Sequence, residues 1–172
     1  MPLVSFEVAF RQVFADRFDK LLRYLDRLLG DPDLAAEIAQ ETFVKLYRRG
    51  TMPEDVGAWL VAVANNLCRD ERRRLQRRRR LLASRSPEVA MGDRSPAPDA
   101  DLVPEERRRM VRTALDALPL RDRRLLLLRH AGFSYREIAS GLGIPEFSVG
   151  SLLARARVLF RAAFERRHGA PD

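Results

Sequence analysis

The stretch Ser134-Tyr135-Arg136-Glu137-Ile138-Ala139-Ser140-Gly141-Leu142-Gly143-Ile144-Pro145-Glu146-Phe147-Ser148-Val149 decides the fold. Ser134 and Glu137 have the spacing of a capping box, which satisfies two orphan amides and starts a helix. Gly141-Leu142-Gly143 ends that helix after barely two turns, and Pro145 opens another. Ala139 is small enough to let the two helices cross closely. A short helix, a tight glycine turn and a second helix free to enter a major groove are the parts of a helix-turn-helix. The plainer alternative is a pair of packed helices joined by Gly-Leu-Gly. The second helix continues to about Arg166, with Val149, Leu153, Ala156, Phe160 and Phe164 as its buried stripe.

Upstream, helices are expected over Glu105 to Leu118, stopped by Pro119, and over Arg121 to His130. Residues 81–104 hold Pro87, Pro96, Pro98 and Pro104 among Ser, Gly and Asp, and are expected to form a flexible linker. The first half is helical as well. Phe6, Phe10, Val13, Phe14, Phe18, Leu21, Leu22, Leu25 and Leu28 recur at three and four. Asp31 or Asp33 caps a second helix ending at Arg49. It sets Leu34, Ile38, Thr42, Phe43 and Leu46 on one face and Asp33, Glu37, Gln40 and Glu41 on the other. A third helix opens near Glu54 or Asp55, packs through Val56, Trp59, Leu60, Val63 and Leu67, and projects as a charged end that frays before Ala83. No segment has strand periodicity. The fold class is therefore all-α, with two small helical domains joined by a flexible linker. Whether the two halves pack together is left open by the sequence.

The 172-residue chain carries a net charge of +8, and its distribution is more informative than its total. Residues 1–68 carry −2 and residues 69–80 carry +6. Residues 81–104 carry −2 and residues 105–172 carry +6. Two basic blocks separated by neutral-to-acidic chain suit a polyanion held at two places. Asn66, Asp70, Arg73 and Arg77 lie at i, i+4, i+7 and i+11, on one helical face, and Asn and Arg side chains can reach base edges as well as phosphates. The single cysteine, Cys68, excludes an internal disulfide. Without a leader-like N-terminus or an apolar run of membrane length, a cytoplasmic location is expected. Two histidines, no metal-ligand spacing, no phosphate loop and no nucleophile elbow argue against an enzyme and against any cofactor or metal.

These residues carry a resemblance. Asp33-Leu34-Ala35-Ala36-Glu37-Ile38-Ala39-Gln40-Glu41-Thr42-Phe43, then Ala58-Trp59-Leu60, Ala64-Asn65-Asn66-Leu67 and Asp70 with Arg73-Arg74, resemble region 2 of bacterial sigma factors. Leu118-Pro119, Leu127-Leu128-Arg129, Gly132 to Ala139, Leu142-Gly143-Ile144 and Arg155-Ala156-Arg157 are similar to region 4. The short layout resembles the extracytoplasmic-function (ECF) group. It implies a region 2 bundle over 1–80 and a region 4 helix-turn-helix over 105–172. It implies that Asp33, Glu37, Gln40 and Glu41 bind core RNA polymerase through its β′ subunit, the β subunit also being a partner. It implies that Arg49 to Asp55 form a base-capture loop. Arg49, Asn65, Asn66, Arg69, Arg73, Arg74 and Arg77 are then the −10 DNA-binding residues. Arg136, Glu146, Phe147, Ser148, Ser151, Arg155 and Arg157 are the −35 DNA-binding residues. Promoter DNA and an anti-sigma factor are the further partners.

The implied function is an alternative sigma factor directing promoter recognition, DNA melting and transcription initiation. The alternative is a stand-alone helix-turn-helix regulator that does not join polymerase; it explains residues 105–167 but leaves the first half without a task. Two positions depart from the family's pattern. Gly150 and Leu152 stand where basic side chains are usual, which implies weak −35 affinity, an unusual −35 sequence or help from another protein. Asn65 stands where the family often has Arg, and Arg69 is placed to compensate.

Overall fold

The computed structural model describes residues 5–84 and 105–169. Seven helices account for them: α1 (Phe6–Leu29), α2 (Pro32–Arg49), α3 (Val56–Ala83), α4 (Glu105–Asp116), α5 (Leu120–Ala131), α6 (Tyr135–Leu142) and α7 (Glu146–His168). Local chemistry sets the boundaries. Asp31, not Asp33, caps α2, its Oδ1 accepting from the Leu34 amide at 3.1 Å. Asp55 caps α3 in the same way at 2.9 Å from the Ala58 amide. The Ser134–Glu137 capping box forms as expected, with both reciprocal hydrogen bonds present. One boundary needs correction. Leu81, Leu82 and Ala83, assigned above to a flexible linker, extend α3, because Leu, Arg and Ala all favour helix and nothing breaks the run. The rest of that linker, residues 85–104, lies outside the described residues.

In the first half, α1 and α2 pack antiparallel through aromatic rings. Phe14 stacks on Phe18 at 4.8 Å and meets Phe43 edge-on at 5.1 Å. In the second half α4 lies along α7, with Ala114, Leu118 and Ala163 in a small apolar cluster of their own. The larger core does not respect the division. Leu21, Leu25, Leu46 and Leu60 belong to the same contiguous cluster as Leu128, Phe133, Ile138 and Leu153. The two halves are packed together, chiefly α6 on α3 and α5 on α1.

Two helical glycines permit that seam. A Cβ on Gly141 would lie 2.6 Å from Val61 Cγ1 and 3.2 Å from the Ala58 carbonyl oxygen. A Cβ on Gly57 would overlap the Glu137 carboxylate. That carboxylate is committed elsewhere: Oε2 accepts from the Ser134 amide at 2.8 Å, and Oε1 pairs with Arg17 at 2.6 Å. Glycine inside a helix costs roughly 0.5–1 kcal/mol relative to alanine. Both positions therefore give up local helix stability to bring α3 and α6 into contact. Gly141→Ala is expected to keep helix content by far-ultraviolet circular dichroism while opening the seam. An overpacking cost of about 1–3 kcal/mol would raise the open fraction at least about fivefold. The rate at which a maleimide labels the buried Cys68 should rise to match; an unchanged rate would show that close approach at Gly141 does not hold the halves together.

Candidate nucleic-acid interface

The helix-turn-helix presents its second helix outward. Gly143 makes the turn at φ 68°, a conformation L side chains avoid, and Ile144 packs back beneath it. Val149, Leu153 and Ala156 are buried against the core, so the opposite side of α7 faces solvent. That side carries Glu146, Phe147, Ser151, Arg155 and Arg157, all exposed, with Ser148 half-buried. The Ser151 hydroxyl donates to the Ser148 carbonyl at 3.0 Å. The two positions that depart from the sigma-factor pattern differ in kind. Leu152 is half-buried and packs against the core, whereas Gly150 lies beside the Tyr135 ring. Only Gly150 removes a side chain from the outer surface.

The second basic surface is α3 beyond Cys68. Arg69, Arg73, Arg74 and Arg77 are exposed, as is Asn66, and Asp70, Arg73, Arg74, Arg77, Arg78 and Leu81 line a shallow open groove. Arg74 leans on Glu71 at 3.8 Å, a surface pairing worth little, and its guanidinium remains available. With eight arginines against Asp70 and Glu71 over residues 69–80, this helical rail has the charge to attract phosphates. Arg49 is exposed in the last turn of α2, at the entrance to the loop over residues 50–55.

Asn65 is a correction. Expected on the strand-contacting surface, it is only 4% exposed, and its Oδ1 accepts the Tyr24 hydroxyl at 2.7 Å. Helical phase explains the difference. Asn66 turns outward with Asp70 and Arg73, while Asn65, one residue earlier, turns inward with Val61 and Cys68. In this structure Asn65 faces the interior and ties α3 to α1 through Tyr24.

A third surface lies on α2. Asp33, Glu37 and Gln40 are exposed and Glu41 is half-buried, pairing with Lys45 at 3.8 Å. Glu37 and Glu41 line a groove with Leu34, Ile38 and Leu67, closed on its far side by Glu71 and Arg74 of α3. An apolar floor rimmed by carboxylates suits a basic protein surface better than DNA. Arg136 does not stand free beside α7. Its guanidinium reaches back to Asp55, the cap of α3, at 3.7 Å. The same arginine, in the first turn of α6, thus touches the residue that ends the loop over 50–55.

The chain matches the family model described as Sigma-70 region 2 over residues 14–78 and that described as Sigma-70, region 4 over residues 108–159. It is 32% identical over 160 residues to the ECF RNA polymerase sigma factor SigL of Mycobacterium tuberculosis, covering 83% of this chain and 81% of that protein. It is 33% identical over 138 residues to the probable RNA polymerase sigma factor RfaY of Xanthomonas campestris, covering 75% of this chain and 34% of that much longer protein. In fold it resembles the sigma factor RpoE of Bartonella quintana, crystallised with the anti-sigma factor NepR, at a TM-score of 0.67 and 22% identity over 91% of this chain and 97% of that one.

Sequence reasoning missed the polar centre between the halves. Tyr24 of α1, Asn65 and Cys68 of α3, and Arg124 of α5 converge there, and burial pushes the Tyr24 hydroxyl and the Cys68 thiol up, the latter to about 11. The Asn65 Nδ2 and Arg124 Nε atoms are buried without hydrogen-bond partners. A signal was present: a Tyr and an Asn falling in phase with otherwise apolar stripes must be paired if buried. Asn65→Ala removes the acceptor of a buried hydroxyl, which costs about 1–3 kcal/mol. The melting temperature should fall by about 2–10 °C. The Tyr24→Phe, Asn65→Ala double variant should fall by less than the sum of the singles. An unchanged melting temperature with impaired promoter opening would instead return Asn65 to the DNA-contacting set.

Proposed function

The chain belongs to the ECF group of sigma-70 RNA polymerase sigma factors, and from that premise we propose that it is an alternative sigma factor. It joins core RNA polymerase in the cytoplasm and directs promoter recognition, DNA melting and transcription initiation, catalysing nothing itself. The observation that carries this reading is the presence on one chain of three outward surfaces, the first two adjoining at Asp70 and Arg74. They are the carboxylate-rimmed groove of α2, the arginine rail of α3, and the outer side of α7.

Each surface suits one step. Asp33, Glu37, Gln40 and Glu41 dock on a basic helical surface of the core enzyme, the β′ subunit by family resemblance, with Leu34 and Ile38 supplying apolar contact. Arg49 and the loop to Asp55 capture a base of the −10 element. Flipping that base out costs a few kcal/mol, which packing in the loop and the phosphate contacts of Arg69, Arg73, Arg74 and Arg77 repay. Asn66 is the polar side chain on the rail that can hydrogen-bond a base edge. The first-half domain, residues 1–80, thus holds polymerase and the melted strand. The second, residues 105–172, reads the −35 element as duplex through α7. A stand-alone regulator would use α6 and α7 equally but leaves the acidic side of α2 without a purpose. The Bartonella relative was crystallised with an anti-sigma factor. By analogy, a protein of that kind is proposed to hold this chain inactive.

Run-off transcription with purified core polymerase and pooled promoter fragments tests the whole reading. Discrete new transcripts that require the chain are expected. Duplex binding without transcripts or core binding would favour the stand-alone regulator. Glu41→Arg, a charge reversal at a half-exposed position, should abolish core binding while leaving the circular dichroism spectrum unchanged. Normal core binding by that variant would remove α2 from the polymerase interface.

A further inference from the structure

The outer side of α7 has a composition that the loss of a basic residue at Gly150 does not by itself explain. Phe147, Ser151, Ala154 and Val158 fall at i, i+4, i+7 and i+11 and form one stripe along the helix. All four are exposed, Phe147 at 89% and Val158 at 68%. The stripe lies opposite Val149, Leu153 and Ala156, which are buried, so packing does not call for apolar residues on this side. Charge sits at its edges: Arg155 flanks one side, and Arg157 and Arg161 flank the other. Gly150, on the Arg157 side, puts no side chain across the stripe. Tyr135 fills the space beside it, 3.7 Å from where a Cβ would lie, with Arg129 over its ring at 5.2 Å.

An apolar centre with arginine edges matches a particular ligand. In the major groove, thymine is the one base that presents a methyl group, and apolar side chains contact it. Guanine is read by Arg or Lys, and the centre of this stripe has neither. The phosphates on either side of the groove are matched by the flanking arginines. Resting on the reading of α7 as the −35 helix, we propose that this stripe reads thymine methyl groups, with Phe147 as its principal specificity-determining residue. Phe147 lies in the first turn of α7, the part of a recognition helix that reaches base edges. Ser151 contributes hydroxyl lone pairs, since its proton is already given to Ser148. Ala154 and Val158 extend the apolar contact toward the next bases. The chain thus replaces guanine reading with thymine reading, and the −35 element it selects is rich in thymine on the contacted strand.

Deoxyuridine differs from thymidine only by that methyl, and it leaves Watson–Crick pairing intact. The test uses the reconstituted holoenzyme and a promoter fragment mapped by run-off transcription, with each thymine of the −35 element replaced in turn by deoxyuridine. Losing one buried methyl contact should weaken open-complex formation about fourfold, and at least two positions should respond. Phe147→Ala should erase the difference between thymine and uracil at one of them, and Phe147→Leu should restore part of it. Equal response to thymine and uracil, with a scrambled −35 element still defective, overturns the proposal while leaving α7 as the −35 reader. A scrambled −35 element that works as well as the native one removes both. A −35 element without thymine, or a Phe147→Ala defect that persists on fragments lacking the element, overturns the proposal by making the stripe a protein-binding surface.

Discussion

The structure depends on α3 being packed on two sides at once. α3 packs on α2 and α1 and also on α6, where Gly57 meets Glu137 and Val61 meets Gly141, while Leu60 and Ala64 lie in the shared core. Each half alone is a domain of well under 100 residues, a size at which a single apolar core is marginal. Joining them along α3 produces one core from Leu21 to Leu153, and α3 is the element through which both halves are stabilised. The arginine rail follows from this arrangement. Beyond Cys68 only α2 still borders α3, across the groove that reaches Glu71 and Arg74, and the same helix that is buried for its first three turns emerges as a largely exposed rod from Arg69 to Arg80.

The seam differs in kind from the interior of either half. Within the first half, phenylalanine rings meet one another and no charge intervenes. Across the seam the contacts are Arg17 with Glu137, Arg136 with Asp55, and Arg112 Nη1 donating to the Gly30 carbonyl at 3.4 Å. At its centre Asn65 and Arg124 each leave a buried nitrogen unsatisfied. Ion pairs at partly exposed positions contribute little net stability, and orphaned polar atoms subtract from it. The polar part of the seam thus resembles an interface between domains, while its apolar part belongs to the one continuous core.

Helix existence and type were legible because the signals were local. Capping residues at Asp55 and Ser134, proline at 145 and the turn glycine at 143 act over a few residues, and each acts as its chemistry predicts. The acidic and basic surfaces were legible for the same reason, since helical phase alone separates Glu37 from Ile38 and Asn66 from Leu67. What was not legible is long-range. Asn65 was assigned to the surface by its residue type and its resemblance, against a phase shared with Val61 and Cys68; what the sequence does not disclose is that Tyr24, 41 residues earlier, is its partner. Leu152 read as a lost basic residue, yet it is half-buried because of how α7 meets the core, which local spacing does not fix. Gly141 read as part of a turn and Gly57 drew no reading; only the approach of Val61 and Glu137 gives them a reason.

The covalent join between the halves gives the Arg136–Asp55 contact and its neighbours a thermodynamic character of their own. A contact between two pieces of one chain does not dilute: its effective concentration is set by the tether and stays the same however scarce the protein becomes. Any ligand that needs the Asp55 end of α3 uncovered binds only the fraction of molecules in which the seam is open, and its apparent affinity falls by that fraction. A second ligand that pulls the halves apart removes the same tax. Two sites that share no residue would then bind cooperatively, and the strength of that coupling would be set by the packing of Val61 against a single missing methyl group.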